Sequence, residues 1–331
     1  MRTLILLAGL TPAALAAQTV PPKPAPVPDR WVALIGAYGS GGDTLLVYEA
    51  EGQLRTRLAG APRYPLVELA DTAFLVAMGG ERLIFRRDTT GRVREAELAG
   101  SAYLRLTPGP EERGQLRVTP VRPVDSLLVA ARAATPPRAA GRFREPDLVD
   151  LATLDSTIRL DIRYATPDNF LGTVFYGSPR AFLQRPAAEA LVRAHRKLRA
   201  QGYGLLIHDA YRPWYVTKVF WDATPDSLHW LVADPAEGSR HNRGCAVDLT
   251  LYDLATGRPI EMVGTYDEAS PRSGANYPGG TSLQRWHRDL LRRAMEAEGF
   301  AVYPAEWWHF DYREWRAYPV LNVALEDLGP R

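Results

Sequence analysis

The chain has 331 residues, of which 46% are hydrophobic and 24% are charged, and its formal net charge is +2. This length and this balance predict a globular protein with room for two domains. Because the net charge is small and no stretch concentrates lysine and arginine, the sequence argues against a nucleic-acid-binding surface.

Residues 1–17 have the pattern of a signal peptide. Arg2 precedes the apolar run 4–15, and Ala14-Leu15-Ala16 offers small residues for cleavage. A buried N-terminal helix is the alternative, and Pro12 counts against it. The run is shorter than the about 20 residues of a spanning helix. The pattern therefore predicts an exported protein, periplasmic or secreted, with no stable membrane span after cleavage.

A proline-rich linker at 18–30 precedes a region, 31–120, that is made of short strand patterns and glycine turns. Residues 42–54 and 80–93 repeat one order: an alternating strand, a turn at glycine and a returning strand. This order predicts a small all-β accessory domain. The first histidine of the chain lies beyond this region, so a histidine-based site is excluded from it.

A linker at 121–146, with a short apolar helix near its start, is predicted to lead into a second domain at 147–331. There the sequence predicts a helix at 186–201, a buried strand at 204–209 and another helix at 283–299. Because strands and helices follow in a mixed order, the pattern favours an α+β fold over a doubly wound sheet.

Two stretches of the second domain carry candidate metal ligands. In 237–251, a loop holds His241, and Asp248 follows seven residues later on the polar face of a strand whose alternation is typical of a half-buried strand. The stretch Glu306-Trp307-Trp308-His309 supplies a second imidazole. Two imidazoles and one carboxylate suit zinc with the fourth position open for water.

Glu306 is the candidate catalytic base. A metal-activated water needs a carboxylate to accept its proton and deliver it to the leaving amine. On one flat strand Glu306 and His309 would lie on opposite faces. We therefore expect the strand to end at Pro304-Ala305 and Glu306 to lie on a bend.

Arg212 follows the predicted buried strand and would hold a cation beside the metal, where it could stabilise an oxyanion. A salt bridge with Asp209 explains the same two residues. Cys245, the only cysteine, is interpreted as a small buried residue and not as a ligand. His195 is expected at the edge of the core or on the surface, and His208 behind the metal ligands.

Together these segments resemble the zinc D-alanyl-D-alanine dipeptidases, the group within the peptidase M15 superfamily that includes the vancomycin-resistance dipeptidase. The matching segments occur in the family's order and lie in about half of the chain: 163–170, 209–213, 239–251 and 306–309. The resemblance implies a zinc DD-peptidase-like domain with a central antiparallel sheet and flanking helices.

The family's site residues fall on matching positions. The resemblance implies one Zn²⁺ on His241, Asp248 and His309, with Glu306 as the base and Arg212 as a transition-state clamp.

Substrate binding is implied for three further residues, Ser239, Tyr164 and Asp267. Asp267 would anchor the free ammonium group of a dipeptide, and a longer peptide has no such group at that position. Cys245 departs from the family, because a small hydroxyl residue is usual there.

The leading hypothesis is hydrolysis of D-Ala-D-Ala to two D-alanines in cell-wall peptide turnover. The nearest alternative is a zinc DD-carboxypeptidase or endopeptidase that acts on peptidoglycan stem peptides, and export favours it. A third is a non-catalytic cell-wall binding protein, and the intact Glu306, Arg212 and ligand set argue against it.

Overall fold

The computed structural model describes residues 21–109, 112, 114–138 and 141–329. The predicted signal peptide lies outside these residues. Within them, no helix has the length and apolar content needed to span a bilayer. The described residues bury two separate hydrophobic cores, one inside a barrel and one around a mixed sheet.

The first core lies inside a closed antiparallel barrel, which a short helix, α1 (Asp29–Val32), precedes. Each strand pairs with the next, and β1 closes on β8 where Tyr38 pairs with Arg105, so no strand edge is left open. Tyr38, Phe74 and Phe85 fill the interior, with ring centroids 5.8 and 5.9 Å apart. This confirms the predicted all-β region. The eight strands are β1 (Gly36–Ser40), β2 (Asp43–Ala50), β3 (Gln53–Leu58), β4 (Tyr64–Ala70), β5 (Ala73–Val76), β6 (Arg82–Arg87), β7 (Val93–Leu98) and β8 (Ser101–Arg105).

Helix α2 (Val124–Ala133) lies in the segment predicted as a linker. Its buried residues Val124, Leu127 and Ala131 belong to the second core. This part of the chain therefore packs against the second domain.

The second domain combines a five-stranded sheet, a two-stranded sheet and four helices. The five strands are ordered β10-β12-β13-β15-β14. They are antiparallel as predicted, except that the edge strand β10 pairs in parallel with β12, Arg159 opposite Leu206. The elements are β9 (Leu148–Asp150), α3 (Leu151–Leu154), β10 (Arg159–Leu160), β11 (Phe182–Gln184), α4 (Arg185–Arg199), β12 (Tyr203–Asp209), α5 (Trp214–Ala223), β13 (Ala246–Asp253), α6 (Ser282–Glu296), β14 (Phe300–Tyr303) and β15 (Glu306–Tyr312).

His195 shows why α4 lies against this sheet. The prediction of a core-edge or surface position is wrong, because the side chain is fully buried. Its Nδ1 accepts from Leu205 N–H of β12 (3.2 Å), so its Nε2 carries the proton and donates to Thr157 Oγ1 (2.9 Å). Burial lowers the pKa of His195 to about 4. A neutral histidine thus joins helix to strand.

The barrel contacts the second domain through Glu49, a buried residue of β2. Its Oε2 accepts from Ser282 N–H at the start of α6 (2.6 Å), and its backbone N–H donates to the Gly280 carbonyl (3.1 Å). A carboxylate at a helix N-terminus also interacts favourably with the helix dipole.

Strand β13 places the candidate metal ligands at the centre of the sheet. Asp248 pairs with Asp209 on β12 and with His309 on β15. The predicted half-buried strand is wrong: Ala246 to Tyr252 are all buried. Side chains from other parts of the chain cover its polar face, which therefore lines an enclosed site instead of facing solvent.

Gly244 joins the loop of His241 to β13 and has a left-handed backbone, with φ 66°. A Cβ there would lie 2.5 Å from Leu148 Cδ2. The left-handed conformation costs a non-glycine residue about 1–2 kcal/mol and the steric clash about 1–3 kcal/mol. We expect Gly244→Ala to lower the Tm by roughly 5–15 °C in scanning calorimetry.

The matched control is Gly202→Ala, since Gly202 has φ 88° and a Cβ there meets no described atom within 4 Å. This variant should lose only about 3–6 °C. Equal losses for the two variants would show that the Leu148 contact is unimportant.

Candidate active site

The three predicted ligands, His241, Asp248 and His309, are buried and converge on one point. Their candidate ligand atoms all lie within 4.8 Å of one another. Asp248 Oδ1 is 3.0 Å from His309 Nδ1 and 3.4 Å from His241 Nε2. The loop before β13, β13 itself and β15 thus bring together the set that the sequence predicts.

Hydrogen bonds on the far side of each imidazole fix which nitrogen faces this point. His241 Nδ1 lies 2.6 Å from the carbonyl oxygen of Ala210, which can only accept, so Nε2 keeps its lone pair. His309 Nε2 donates to Asp311 Oδ1 (3.0 Å), which leaves Nδ1 facing inward. Metal-binding histidines usually donate their second N–H to a carbonyl or carboxylate in this way.

Asp248 tests whether a metal ion fits. Its Oδ2 accepts from the Tyr266 hydroxyl (3.1 Å), whereas its buried Oδ1 has no hydrogen-bond partner among the described residues. An unsatisfied buried carboxylate oxygen is costly. A divalent ion between this oxygen and the imidazoles of His241 and His309 would satisfy all three groups, so the donor set fits a metal.

The protonation of His309 also supports a metal site. Although burial opposes protonation, the neighbouring carboxylates of Asp248 and Asp311 raise the pKa of His309 to about 10. Without a metal, the carboxylates therefore hold a proton on this imidazole. Metal binding displaces such protons, because the ligand must be a neutral imidazole.

Glu306 is the first residue of β15, directly after the turn at Pro304-Ala305. The predicted bend is wrong, because Glu306 already pairs with Tyr303 in the hairpin, where the register shifts. Its Oε2 lies 3.7 Å from His309 Nδ1, and about 33% of its side chain is exposed. Burial and then the Asp248 carboxylate raise its pKa above the ordinary value, while His309 opposes this. Such a carboxyl suits proton transfer.

Arg212 is buried and forms the salt bridge that the alternative interpretation expects. Its Nε and Nη2 donate to Asp209 Oδ2 at 2.9 and 2.8 Å. The same Asp209 oxygen lies 3.8 Å from His241 Nδ1. The ion pair therefore holds the guanidinium next to the loop of a candidate ligand, and the two interpretations are compatible.

Tyr164 and Asp267 come together from distant parts of the chain. The Tyr164 hydroxyl donates to Asp267 Oδ2 (3.1 Å). Burial, followed by the carboxylates of Asp248 and Glu306, raises the pKa of Asp267 to about 8. In the described part of the chain no lysine, arginine or histidine forms an ion pair with Asp267. This corner of the site is thus suited to a cation from outside the protein.

Ser239 lies within the loop of His241. Its hydroxyl accepts from the His241 backbone N–H (3.2 Å), and its own N–H donates to Asn242 Oδ1 (2.7 Å). Asn242 Nδ2 also donates to the Arg212 carbonyl (2.8 Å). These bonds hold the loop.

Two residues that the sequence did not predict form hydrogen bonds with the candidate ligands: Asp311 with His309, and Tyr266 with Asp248. Asp311 lies two residues after His309 on the same strand face, so the alternation of β15 was a usable signal. Its Oδ2 also accepts from Arg240 Nη1 (2.7 Å). No sequence signal identifies Tyr266, because its contact with Asp248 is made by folding alone.

Cys245 and His208 take structural positions. Cys245 is fully buried, as predicted, and burial raises the pKa of its thiol to about 12, so it stays protonated. His208 is buried and stacks on the ring of Tyr266, with centroids 4.7 Å apart. It therefore lies behind Asp248, and the Tyr266 side chain separates the two.

Comparison with known proteins agrees with this geometry. A family model described as D-ala-D-ala dipeptidase, Peptidase M15, matches residues 144–320. The D-alanyl-D-alanine dipeptidase of Escherichia coli K12 is 36% identical over 175 residues, which cover 53% of this chain and 89% of the relative. That of Enterococcus faecium is 36% identical over 180 residues, 49% of this chain and 89% of the relative.

A third relative, the D-alanyl-D-alanine dipeptidase of Streptomyces coelicolor, is 35% identical over 186 residues, 51% of this chain and 92% of the relative. The barrel lies outside the residues that the family model matches, and the candidate ligands lie inside them. The chain belongs to the peptidase M15 family of D-ala-D-ala dipeptidases.

Proposed function

We propose that the protein hydrolyses D-Ala-D-Ala to two D-alanines with the help of one zinc ion held by His241, Asp248 and His309. The observation that supports this substrate is Asp267, a carboxyl group near the candidate ligands that accepts a hydrogen bond from Tyr164 and has no ion-pair partner among the described residues. The relatives that share this domain are themselves named D-alanyl-D-alanine dipeptidases.

Zinc is proposed because two imidazole nitrogens and one carboxylate oxygen are donors that it prefers. When bound, such an ion supplies Lewis-acid chemistry: it polarises the scissile carbonyl and lowers the pKa of water. The remaining steps fall to side chains of the protein.

Glu306 takes a proton from the attacking water and delivers it to the nitrogen of the leaving amine as the peptide C–N bond breaks. The guanidinium of Arg212, held by Asp209, stabilises the negative charge that develops on the carbonyl oxygen. One water is consumed, and a carboxylate and an amine are formed.

Asp267 and Tyr164 bind the ammonium group of the dipeptide. A carboxylate whose pKa is raised to about 8 by burial and by neighbouring carboxylates gains from a cationic partner. An N-acylated peptide offers no such cation. The site is therefore proposed to act on free dipeptides in preference to stem peptides.

The test compares D-Ala-D-Ala with N-acetyl-D-Ala-D-Ala on zinc-loaded protein. We expect kcat/KM to be about 10–100 times higher for the free dipeptide, since a hydrogen-bonded charge pair is worth about 1.5–3 kcal/mol. Asp267→Asn should remove most of this preference by lowering kcat/KM for the free dipeptide alone. A preference for the blocked peptide would instead favour the carboxypeptidase alternative.

We also propose that residues 147–331 form a zinc DD-peptidase-like catalytic domain and 31–120 an accessory domain. Residues 1–17 are proposed as a signal peptide, which would place the enzyme outside the cytoplasm in the turnover of peptidoglycan-derived dipeptides. N-terminal sequencing of protein recovered from cells should find Gln18 as the first residue, and a retained Met1 would contradict export by this route.

A further inference from the structure

Residues 114–118 connect the barrel to α2 and lie outside the region that the family model matches, 144–320. In the structure this connecting segment runs between two loops of the second domain. One loop carries Tyr164, and the other carries Asp267.

The connecting segment is hydrogen-bonded to the loop of Asp267. Leu116 N–H donates to the Asp267 carbonyl (2.8 Å), and Gln115 forms an antiparallel bridge with Glu268. The Glu268 carboxylate is buried and is held by Arg272 Nε and Nη2, both at 2.6 Å. These contacts therefore fix the backbone at Asp267 and at the following residue, Glu268.

Gly114 approaches this loop more closely than any other residue type could. A Cβ at Gly114 would lie 2.6 Å from Glu268 Oε2 and 2.7 Å from Glu268 Cδ. Because Arg272 and the Thr265 backbone N–H (2.9 Å) fix the carboxylate, it has little freedom to move away.

The same segment is bonded to the loop that follows Tyr164. Val118 N–H donates to the Phe170 carbonyl (2.8 Å), and Gln115 Nε2 donates to the Asp168 carbonyl (3.2 Å). Arg117 Nη2 donates to Asp168 Oδ1 (3.1 Å). Five residues thus bridge two loops whose tips meet in the Tyr164–Asp267 hydrogen bond.

Asp267 needs such support because its φ is +54°, in the left-handed region. A non-glycine residue persists there only where its surroundings hold it. We propose that the connecting segment 114–118 positions Asp267 for the ammonium group of the substrate and so contributes to the preference for free dipeptides. This inference rests on the proposed function.

Two variants loosen the segment by different means: Gly114→Ala pushes on Glu268, and Arg117→Ala releases the loop at Asp168. For each we expect the KM for D-Ala-D-Ala to rise about tenfold, the cost of misplacing one charged hydrogen bond. The kcat, the bound zinc and the rate with N-acetyl-D-Ala-D-Ala should stay within about twofold of the unmodified enzyme. Arg86→Ala, which removes an ion pair of the barrel with Glu95 and Glu97, is the matched control.

A double-mutant cycle separates positioning from general loss of structure. In an Asp267→Asn background, Arg117→Ala should have almost no further effect, because both changes act through one carboxylate. Additive losses, or equal losses with both substrates, would overturn the inference while leaving the proposed function intact. If the unmodified enzyme shows no preference for the free dipeptide, the proposed function fails and the inference fails with it.

Discussion

Replacing Glu306 by glutamine should lower kcat by about 10²–10⁴-fold, the usual contribution of a general acid–base residue. Glutamine has the same size but cannot accept the proton of the attacking water. Since Glu306 is not one of the three converging ligands, the variant should still bind one zinc ion per chain. Steady-state kinetics with D-Ala-D-Ala, together with metal analysis of the same sample, measures both quantities.

Glu237→Gln is the matched control, because Glu237 is exposed and lies four residues before His241. It should retain full activity. Removing zinc from the unmodified enzyme with a chelator should abolish turnover, and added Zn²⁺ should restore it there but not in Glu306→Gln. A Glu306→Gln variant with more than about a tenth of the original kcat would assign the base to another group.

Arg212→Lys should lower kcat by about 10²–10³-fold, as expected when a donor to a developing oxyanion is lost. Lysine keeps the positive charge that the buried Asp209 needs. It lacks the planar fork, so it cannot bond Asp209 through two nitrogens and also direct a third donor into the site. Because this interaction forms in the transition state, KM should change little.

Stability and metal content must be measured beside these kinetics, since removing the partner of a buried charge destabilises proteins. Arg288→Lys is a suitable control. Arg288, on α6, is also buried, and it donates to the carbonyl oxygen of Tyr277 (2.7 Å). Normal kcat in Arg212→Lys would refute the clamp. A fall in kcat matched by lost zinc and a lower Tm would indicate a structural role only.

The metal set was predictable because its chemistry is local. His241 and Asp248 lie on one loop and the strand that follows. His309 comes from β15, which pairs with β13 only after α6 and β14, and the short motif Glu306-Trp307-Trp308-His309 was the signal that identified it. The surroundings of the set were not predictable, since Tyr266 reaches Asp248 through a contact that no local spacing encodes. The strand β13 was predicted from its alternation, but it was expected to be half-buried and is buried on both faces from Ala246 to Tyr252.

The barrel illustrates the same limit. Its hairpins follow from alternation and glycine turns, which are properties of neighbouring residues. Closure depends on Tyr38 meeting Arg105 across the whole region, and no local pattern records that pairing. Helix α5 (Trp214–Ala223) was missed because most of its residues are buried, so it has no polar face to reveal its period.

The hydrogen bonds behind the candidate ligands have a consequence for the rate at which this site would exchange a metal ion. His241 is fixed by the Ala210 carbonyl, and His309 by Asp311, which is itself paired with Arg240. The ligands therefore need almost no reorganisation when an ion arrives, and little is gained by letting them swing away afterwards. We therefore expect a site of this kind to release its ion slowly, on a timescale that metal exchange measured after addition of a chelator would show.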